Sequence, residues 1–286
     1  MIYLAVVSLI WAFSFGLIGN ALSGVDSFFT ATVRLGCATL LFLPLLRTKE
    51  IVRVDRLRLV LIGAVQFGVM YACYMRAFQY LPSHLVAIFS ILTPVYVVIL
   101  HDLRQRTFSS RYLVAALLSV LGAAAIKAKT IPTGDFWIGF GLMQVAGIAF
   151  AYGQIAYRDW KQSNPQANDR SVFALLAMGG TLCVGIGGFF LSDWSTLEVK
   201  PDQWKAILYL GFVASGIGFF LWNKGASKVN PGTLAAFNNA VVPLAVICSL
   251  FIFGETSSIG TENTFRLAIG STLIGLAVYT GKRTSS

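Results

Sequence analysis

The chain has 286 residues, 56% of them hydrophobic and only 12% charged, against roughly 45–50% apolar and about 25% charged in an ordinary soluble domain. That balance excludes a conventional soluble domain and fits an integral membrane protein, as does the mean hydropathy of +0.73. The formal net charge of +10 does not point to nucleic acid, because the basic residues gather in connectors between apolar blocks and not on an aromatic-studded face.

In chain order, the apolar blocks predict spans at about residues 2–20, 27–46, 59–80, 83–101, 111–128, 136–157, 171–191, 204–223, 232–253 and 265–281. Each is close to the roughly 20 residues that cross a bilayer. Backbone polar groups in hydrocarbon must be satisfied within their own segment, and the blocks are too long and too uniformly apolar for barrel strands. The expected fold class is therefore an all-α integral membrane protein with ten transmembrane helices. The first block has no cationic leader and runs on as a full-length span, so it reads as the first helix and not as a cleaved signal. With both termini inside, fifteen Lys and Arg residues, Arg47, Arg104, Arg158 and Lys282 among them, fall in cytoplasmic connectors, and at most five fall outside. The expected location is the cell inner membrane, multi-pass, with both termini cytoplasmic.

The chain also repeats itself. WAFSFGLI at 11–18 matches IAFAYGQI at 148–155, pairing Phe15 with Tyr152. LVAIFSILTP at 85–94 matches LAAFNNAVVP at 234–243, and Tyr74 and Arg76 correspond to Trp222 and Lys224. Five spans per copy is an odd number, so the second copy, 131–286, must enter the membrane upside down relative to the first, 1–130. Inverted repeats of this kind characterise secondary transporters, whose site lies near the midplane between the halves.

These paired spans, the WAFSFG opening, Arg34 in ATVRLG, the two proline-ended helices and the closing FGE before IGLAV resemble the drug/metabolite transporter superfamily, and more narrowly its ten-helix EamA-type exporters. The resemblance covers nearly the whole chain. It implies a transporter fold with a small polar or amphipathic metabolite as cargo. Two positions depart from symmetry: His101-Asp102 stands where the second half has Gly254-Glu255, and the seventh span has no counterpart of Arg34.

Polar residues inside the spans are the candidates for cargo contact. A proline within a helix cannot bond the carbonyl four residues earlier, which belongs to Ser90 for Pro94 and to Asn239 for Pro243. Each half thus places a polar side chain beside a released backbone oxygen. Asn238 or Asn239, with Ser90, is expected to face the pathway; the alternative is that the asparagines join neighbouring helices. Trp11, Phe15, Tyr74, Tyr96, Tyr152 and Trp222 supply an aromatic wall suited to a partly apolar metabolite, or else ordinary helix packing. Arg34 lies about two turns into its span without a carboxylate one turn away, so either an anionic group of the cargo pairs with it, or it snorkels outward or meets a helix end. Arg76 and Lys224, near span exits, read as snorkelling side chains.

All twelve acids fall in or beside connectors, so the usual ion-coupling carboxylate of a pump is absent at mid-membrane. His84 and His101, at opposite ends of the fourth span, are further titratable groups, although a lone histidine is more often a packing residue. Cys37, Cys73, Cys183 and Cys248 form neither a CxxC pair nor a zinc pattern, and no metal or cofactor is expected. The reading is a non-enzymatic secondary transporter, an exporter or exchanger of small metabolites such as amino acids, working by alternating access as a monomer or weak homodimer among membrane lipids. Its rivals are a non-transporting receptor or assembly subunit and an integral-membrane enzyme, the last lacking clustered acids or a metal cage.

Overall fold

The computed structural model describes residues 1–22, 24–48, 51–77, 79–81, 86, 89–127, 136–192, 197–252 and 261–282, and every regular element among them is helical. In chain order these are α1 (Ile2–Ala21), α2 (Ser27–Leu45), α3 (Arg53–Ala77), α4 (Thr93–Gln105), α5 (Ser110–Lys127), α6 (Trp137–Ser163), α7 (Asp169–Leu191), α8 (Pro201–Ala226), α9 (Pro231–Phe251) and α10 (Thr261–Lys282). By length and composition, α2, α3, α6, α7, α8 and the Pro231–Cys248 part of α9 are able to cross a membrane. Shorter apolar stretches lie in α1 and α5, at Ile2–Ser14 and Ser110–Ile126. The boundary expected between the two copies, at 130/131, lies outside the described residues.

Helix ends follow local chemistry. Asp26 accepts the N–H of Phe29 at 2.7 Å to start α2, and Asn230 accepts the N–H of Thr233 at 2.7 Å to start α9, where Pro231 occupies the first turn. Several elements extend past their apolar spans: α3 already begins at Arg53, and α6 carries Arg158, Asp159 and Lys161 on its last turns. Hydropathy locates the bilayer-compatible part of a helix, and it ends where charges begin even though the backbone continues.

One correction concerns α4. The span expected at 83–101 is not a continuous helix around Pro94. A turn at Ile91 and Leu92 precedes it, and Pro94 sits in the first turn of α4, where its missing N–H costs no helical bond. The Ser90 carbonyl accepts the Thr93 hydroxyl at 2.8 Å. Pro243, in contrast, lies inside a continuous α9. A second feature absent from the hydropathy pattern is a π-helical segment in each of the two sequence-matched helices, Ala64–Val69 in α3 and Leu210–Ile217 in α8. Such a segment changes the backbone bonding register and re-aims side chains.

Packing uses two principal cores. One, including Leu35, Phe67, Phe173 and Phe220, unites α2, α3, α7 and α8; the other, including Leu4, Val97, Ile155, Trp222 and Leu234, unites α1, α4, α6, α8 and α9. Where α3 crosses α7, a Cβ on Gly179 would lie 1.9 Å from the Val60 carbonyl oxygen, so the two backbones meet without a side chain between them. Leu40, Leu121, Ile186, Phe189 and Phe190, each more than half exposed, point outward. In water such a surface would drive association; in a bilayer, lipid covers it.

Candidate functional site

Aromatic side chains from four helices meet at the centre. Trp11 of α1 lies 4.8 Å from Trp222 and 5.6 Å from Phe219 of α8, and 6.2 Å from Phe150 of α6, measured between ring centroids. Phe219 in turn stacks on Phe67 of α3 at 4.5 Å and meets the edge of Tyr71 at 6.1 Å, with Tyr74 next to Tyr71. The structure thus brings together Trp11, Trp222 and Tyr74 of the expected wall. Tyr152 packs on the edge of the same cluster, whereas the side chain of Phe15 lies outside the described residues.

The two indoles are not equivalent. Trp11 donates its N–H to the Ala214 carbonyl at 3.0 Å, an oxygen in the π-helical segment of α8. Trp222 is 1% exposed, and its indole N–H has no acceptor among the described residues. A buried donor without a partner costs about 1–3 kcal/mol, so it requires an explanation beyond packing.

Arg34 of α2 is buried at 7% exposure and does not snorkel to the surface. Its Nε donates to the Ser215 hydroxyl at 3.2 Å, again within the π-helical segment, and the guanidinium lies over the Tyr71 ring at 5.3 Å. Among the described residues no acid pairs with it. A guanidinium has five N–H donors, so a neutral hydroxyl and a ring face leave its charge uncompensated and suited to a carboxylate.

Below the aromatics lie four amides on four helices. Gln66 of α3 and Asn223 of α8, both essentially unexposed, donate to each other at 2.7 and 3.2 Å. Gln154 of α6 and Asn238 of α9 do the same at 3.1 Å in both directions. The pairs share one level, because Gly153 lies directly against Gln66: a Cβ there would be 2.1 Å from the Gln66 Cβ. Gln66, Gln154 and Asn223 were not picked out from the sequence. The available signal was each one's place as a lone amide in an apolar run, where polar side chains call for a partner or a path.

The two adjacent asparagines have different partners. Asn239 is 2% exposed, and its amide donates to the Ile91 carbonyl at 2.9 Å and to the Ser119 hydroxyl at 3.0 Å. Ile91 lies in the turn that interrupts the chain before α4, so Asn239 caps a backbone oxygen exposed by that break. This geometry is the one expected of the alternative reading, in which the asparagine joins neighbouring helices. Asn238, half-buried, occupies a transition in α9: residues 231–237 are all buried, while 240–246 are partly exposed on every face of the helix. Ala240 and Val242 in this stretch still pack against Ile91, Ala123 and Ile274, so packing loosens beyond Asn238 without being lost. Ser90 is exposed near this region, and Tyr96 donates its hydroxyl to Gln144 at 2.7 Å.

A separate polar cluster closes the opposite ends of α4 and α6. Arg104 pairs with Asp159 at 2.7 Å, and Arg158 donates to the Val229 carbonyl at 3.2 Å. Asp102, beyond the apolar span, accepts the Ser109 N–H at 2.7 Å and contacts His101 at 3.0 Å. Burial alone would raise its carboxyl, but these bonds outweigh burial and hold it below the usual carboxylate range. Beside it is a cavity of about 530 Å³ lined by His101, Arg111, Tyr112 and Arg158 among others. His84, the other histidine, lies outside the described residues.

The model of the EamA-like transporter family matches the chain twice, over residues 1–128 and 132–280. A protein of Escherichia coli named biotin transporter is 37% identical over 279 residues, covering 96% of this chain and 91% of its own. One of Pseudomonas aeruginosa named probable biotin transporter is 37% identical over 284 residues, 99% of this chain and 97% of its own. A Salmonella typhimurium biotin transporter is 37% identical over 257 residues, 89% and 85% of the two chains. A crystal structure superposes with a TM-score of 0.78 at 14% identity over 97% of this chain and 94% of that one, a likeness of fold.

Proposed function

This chain belongs to the EamA-like transporter family, and on that premise we propose that it moves biotin, or a close chemical relative, across the bacterial inner membrane by alternating access. The observation that carries the cargo is the 37% identity, over nearly the full length, to proteins named biotin transporters. Within the small amphipathic metabolites that the resemblance implies, the amino-acid example gives way to a vitamin with an acidic tail and an apolar ring. Biotin has three recognisable parts: a carboxylate, an alkyl chain leading to a thioether ring, and a fused ureido ring. Arg34, with its charge unpaired among the described residues, suits the carboxylate. The wall of Trp11, Phe150, Phe219, Trp222 and Tyr74 suits the alkyl chain and thioether, as expected of a pocket that is mostly apolar with a few polar anchors. The Trp222 N–H, without an acceptor among the described residues, gains one when a cargo oxygen enters.

The transport cycle rests on an architecture of ten membrane-spanning helices in two inverted five-helix units, 1–130 and 131–286. Two observations support it: the family model matches once per unit, and the sequence-matched helices α3 and α8 both carry a π-helical segment. The bonds joining the units near the site are few: one from Trp11 to Ala214, one from Arg34 to Ser215 and a reciprocal pair between Gln66 and Asn223. In membranes these average about 0.6 kcal/mol and reach about 1.7, small enough to be exchanged in each cycle. With the termini cytoplasmic, the Leu4, Val97, Ile155, Trp222 and Leu234 core closes the inner side and α9 opens outward beyond Asn238.

The test is uptake of radiolabelled biotin into proteoliposomes containing the purified chain, in both orientations and with unlabelled biotin as competitor. Saturable, competed flux is expected. Folded protein that carries none, while a parallel preparation of a biotin-transporting relative does, would refute the assignment.

A further inference from the structure

We propose that Gln154 and Asn238 form an exchangeable amide pair that recognises the ureido edge of the cargo. The inference rests on the biotin reading above and assigns residues to the part of biotin that Arg34 and the aromatic wall leave unaddressed.

The argument starts from hydrogen-bond complementarity. Two carboxamides facing each other form a ring in which each donates one N–H and accepts one through its oxygen, as Gln154 and Asn238 do at 3.1 Å in both directions. A cyclic urea presents the same edge, a carbonyl oxygen beside an N–H held on one side by the ring. Replacing one carboxamide by a ureido group therefore preserves both bonds, and the site is satisfied with and without cargo. That matters at this depth, because an orphaned amide is what makes entry of a polar group into an apolar bundle unfavourable.

Two features of Asn238 single out this pair from its neighbour. Asn238 borders the region where α9 becomes partly exposed on all faces, so cargo can reach it. Its amide also donates to the Leu234 carbonyl at 2.9 Å, so it keeps its orientation when its partner leaves. Gln154, 0% exposed, bonds only Asn238 among the described residues, so its release breaks no other side-chain bond. Gln154 and Gln66 are alike 0% exposed, so the difference lies in their partners and neighbours: Asn223 is 1% exposed where Asn238 is half-buried, and Gln66 is wedged against Gly153. The Gln66–Asn223 pair serves as the fixed layer on which the exchangeable pair sits. Asn238 thus presents a fixed acceptor and donor to the ureido edge, and Gln154 covers that edge when the site is empty.

The experiment compares biotin, desthiobiotin and iminobiotin as competitors of biotin flux in proteoliposomes. Desthiobiotin retains the ureido group without the thioether. Iminobiotin carries a protonated guanidinium edge, which offers donors and no acceptor. The wild type should favour biotin and desthiobiotin over iminobiotin by about tenfold or more, the value of roughly two exchanged hydrogen bonds. Asn238→Asp, an acceptor-only edge, should move the ratio toward iminobiotin by at least about tenfold, since carboxylate and guanidinium pair in a fork. The joint variant Gln154→Leu with Asn238→Leu removes both partners and leaves no orphan; it should retain folding and bring the three competitors within about threefold of each other. Variants that fold and transport biotin with an unchanged ratio would overturn the ureido assignment alone. A wild type without biotin flux would instead remove the cargo reading on which it stands.

Discussion

Replacing Asn239 by alanine tests whether the interior of α9 is built for joining helices or for contacting cargo. The substitution removes the bonds to the Ile91 carbonyl and the Ser119 hydroxyl, at 2.9 and 3.0 Å. Two interhelical bonds at about 0.6 kcal/mol each would give roughly 1 kcal/mol. The Ile91 oxygen adds to this, since it lies at the break before α4 and loses a buried donor, a cost of about 1–3 kcal/mol. A total of about 2–4 kcal/mol corresponds to a fall of roughly 4–16 °C in Tm. Intrinsic fluorescence of the detergent-solubilised protein during heating measures it, and biotin flux normalised to folded protein accompanies it. Asn239→Ala should lose stability while each folded molecule retains most of its flux. Lys224→Ala, which removes only an ammonium lying over the Tyr3 and Phe220 rings, should lower Tm by less. An unchanged Tm with abolished flux for Asn239→Ala would refute the joint and return this residue to the pathway.

Gly179→Ala places a methyl 1.9 Å from the Val60 carbonyl oxygen, and because backbone must move, the cost should meet or exceed the roughly 1–3 kcal/mol of core overpacking; a monodisperse peak at wild-type yield in size-exclusion chromatography would contradict the close crossing of α3 and α7. Arg34→Gln keeps a donor for Ser215 but removes the charge, so the KM for biotin should rise about tenfold or more with a smaller change in kcat; an unaltered KM would detach Arg34 from the carboxylate. For Asp102, the depressed carboxyl contributes stability above its unfolded value, near 3.9, and loses it as pH falls through the lower folded value. The Tm gap between wild type and Asp102→Asn should thus be constant from about pH 8 to 5 and shrink below about pH 4, and a gap that widens in acid would show the sign to be wrong.

Much of the architecture was legible because one physical rule dominates it: in hydrocarbon a chain must be helical and apolar over about 20 residues. The one-turn spacing of Trp11 to Phe15, and the repeat that pairs Tyr74 with Trp222, also made Trp11 and Trp222 candidates for a shared wall, and they lie 4.8 Å apart. The amide layer was not legible, since Gln66 and Asn223 are 157 residues apart and their bond depends on how α3 and α8 cross. No one-dimensional periodicity encodes that register. The π-helical segments were equally hidden, because they shift backbone bonding without changing composition. Pro94 was misplaced for a local reason: proline suits a helix's first turn as well as it marks an interior bend, and hydropathy cannot distinguish the two.

The doubled asparagine in α9 now has a mechanical sense. Successive residues on a helix point about 100° apart, so Asn238 and Asn239 address different neighbours from one turn of backbone. Asn239 fixes α9 to the broken start of α4 and to α5, while Asn238 faces Gln154 of α6. A cargo that displaces Gln154 from Asn238 therefore acts on the same backbone turn that ties α9 to the start of α4 and to α5. The coupling is strongest if α9 moves as a rigid rod about Pro243, since a proline kink concentrates bending where one helical bond is missing. Crosslinking through cysteines introduced at 91 and 239 tests this: the link should block flux if the joint opens in each cycle. Full flux with the link in place would mean that these helices travel together and that the units part elsewhere.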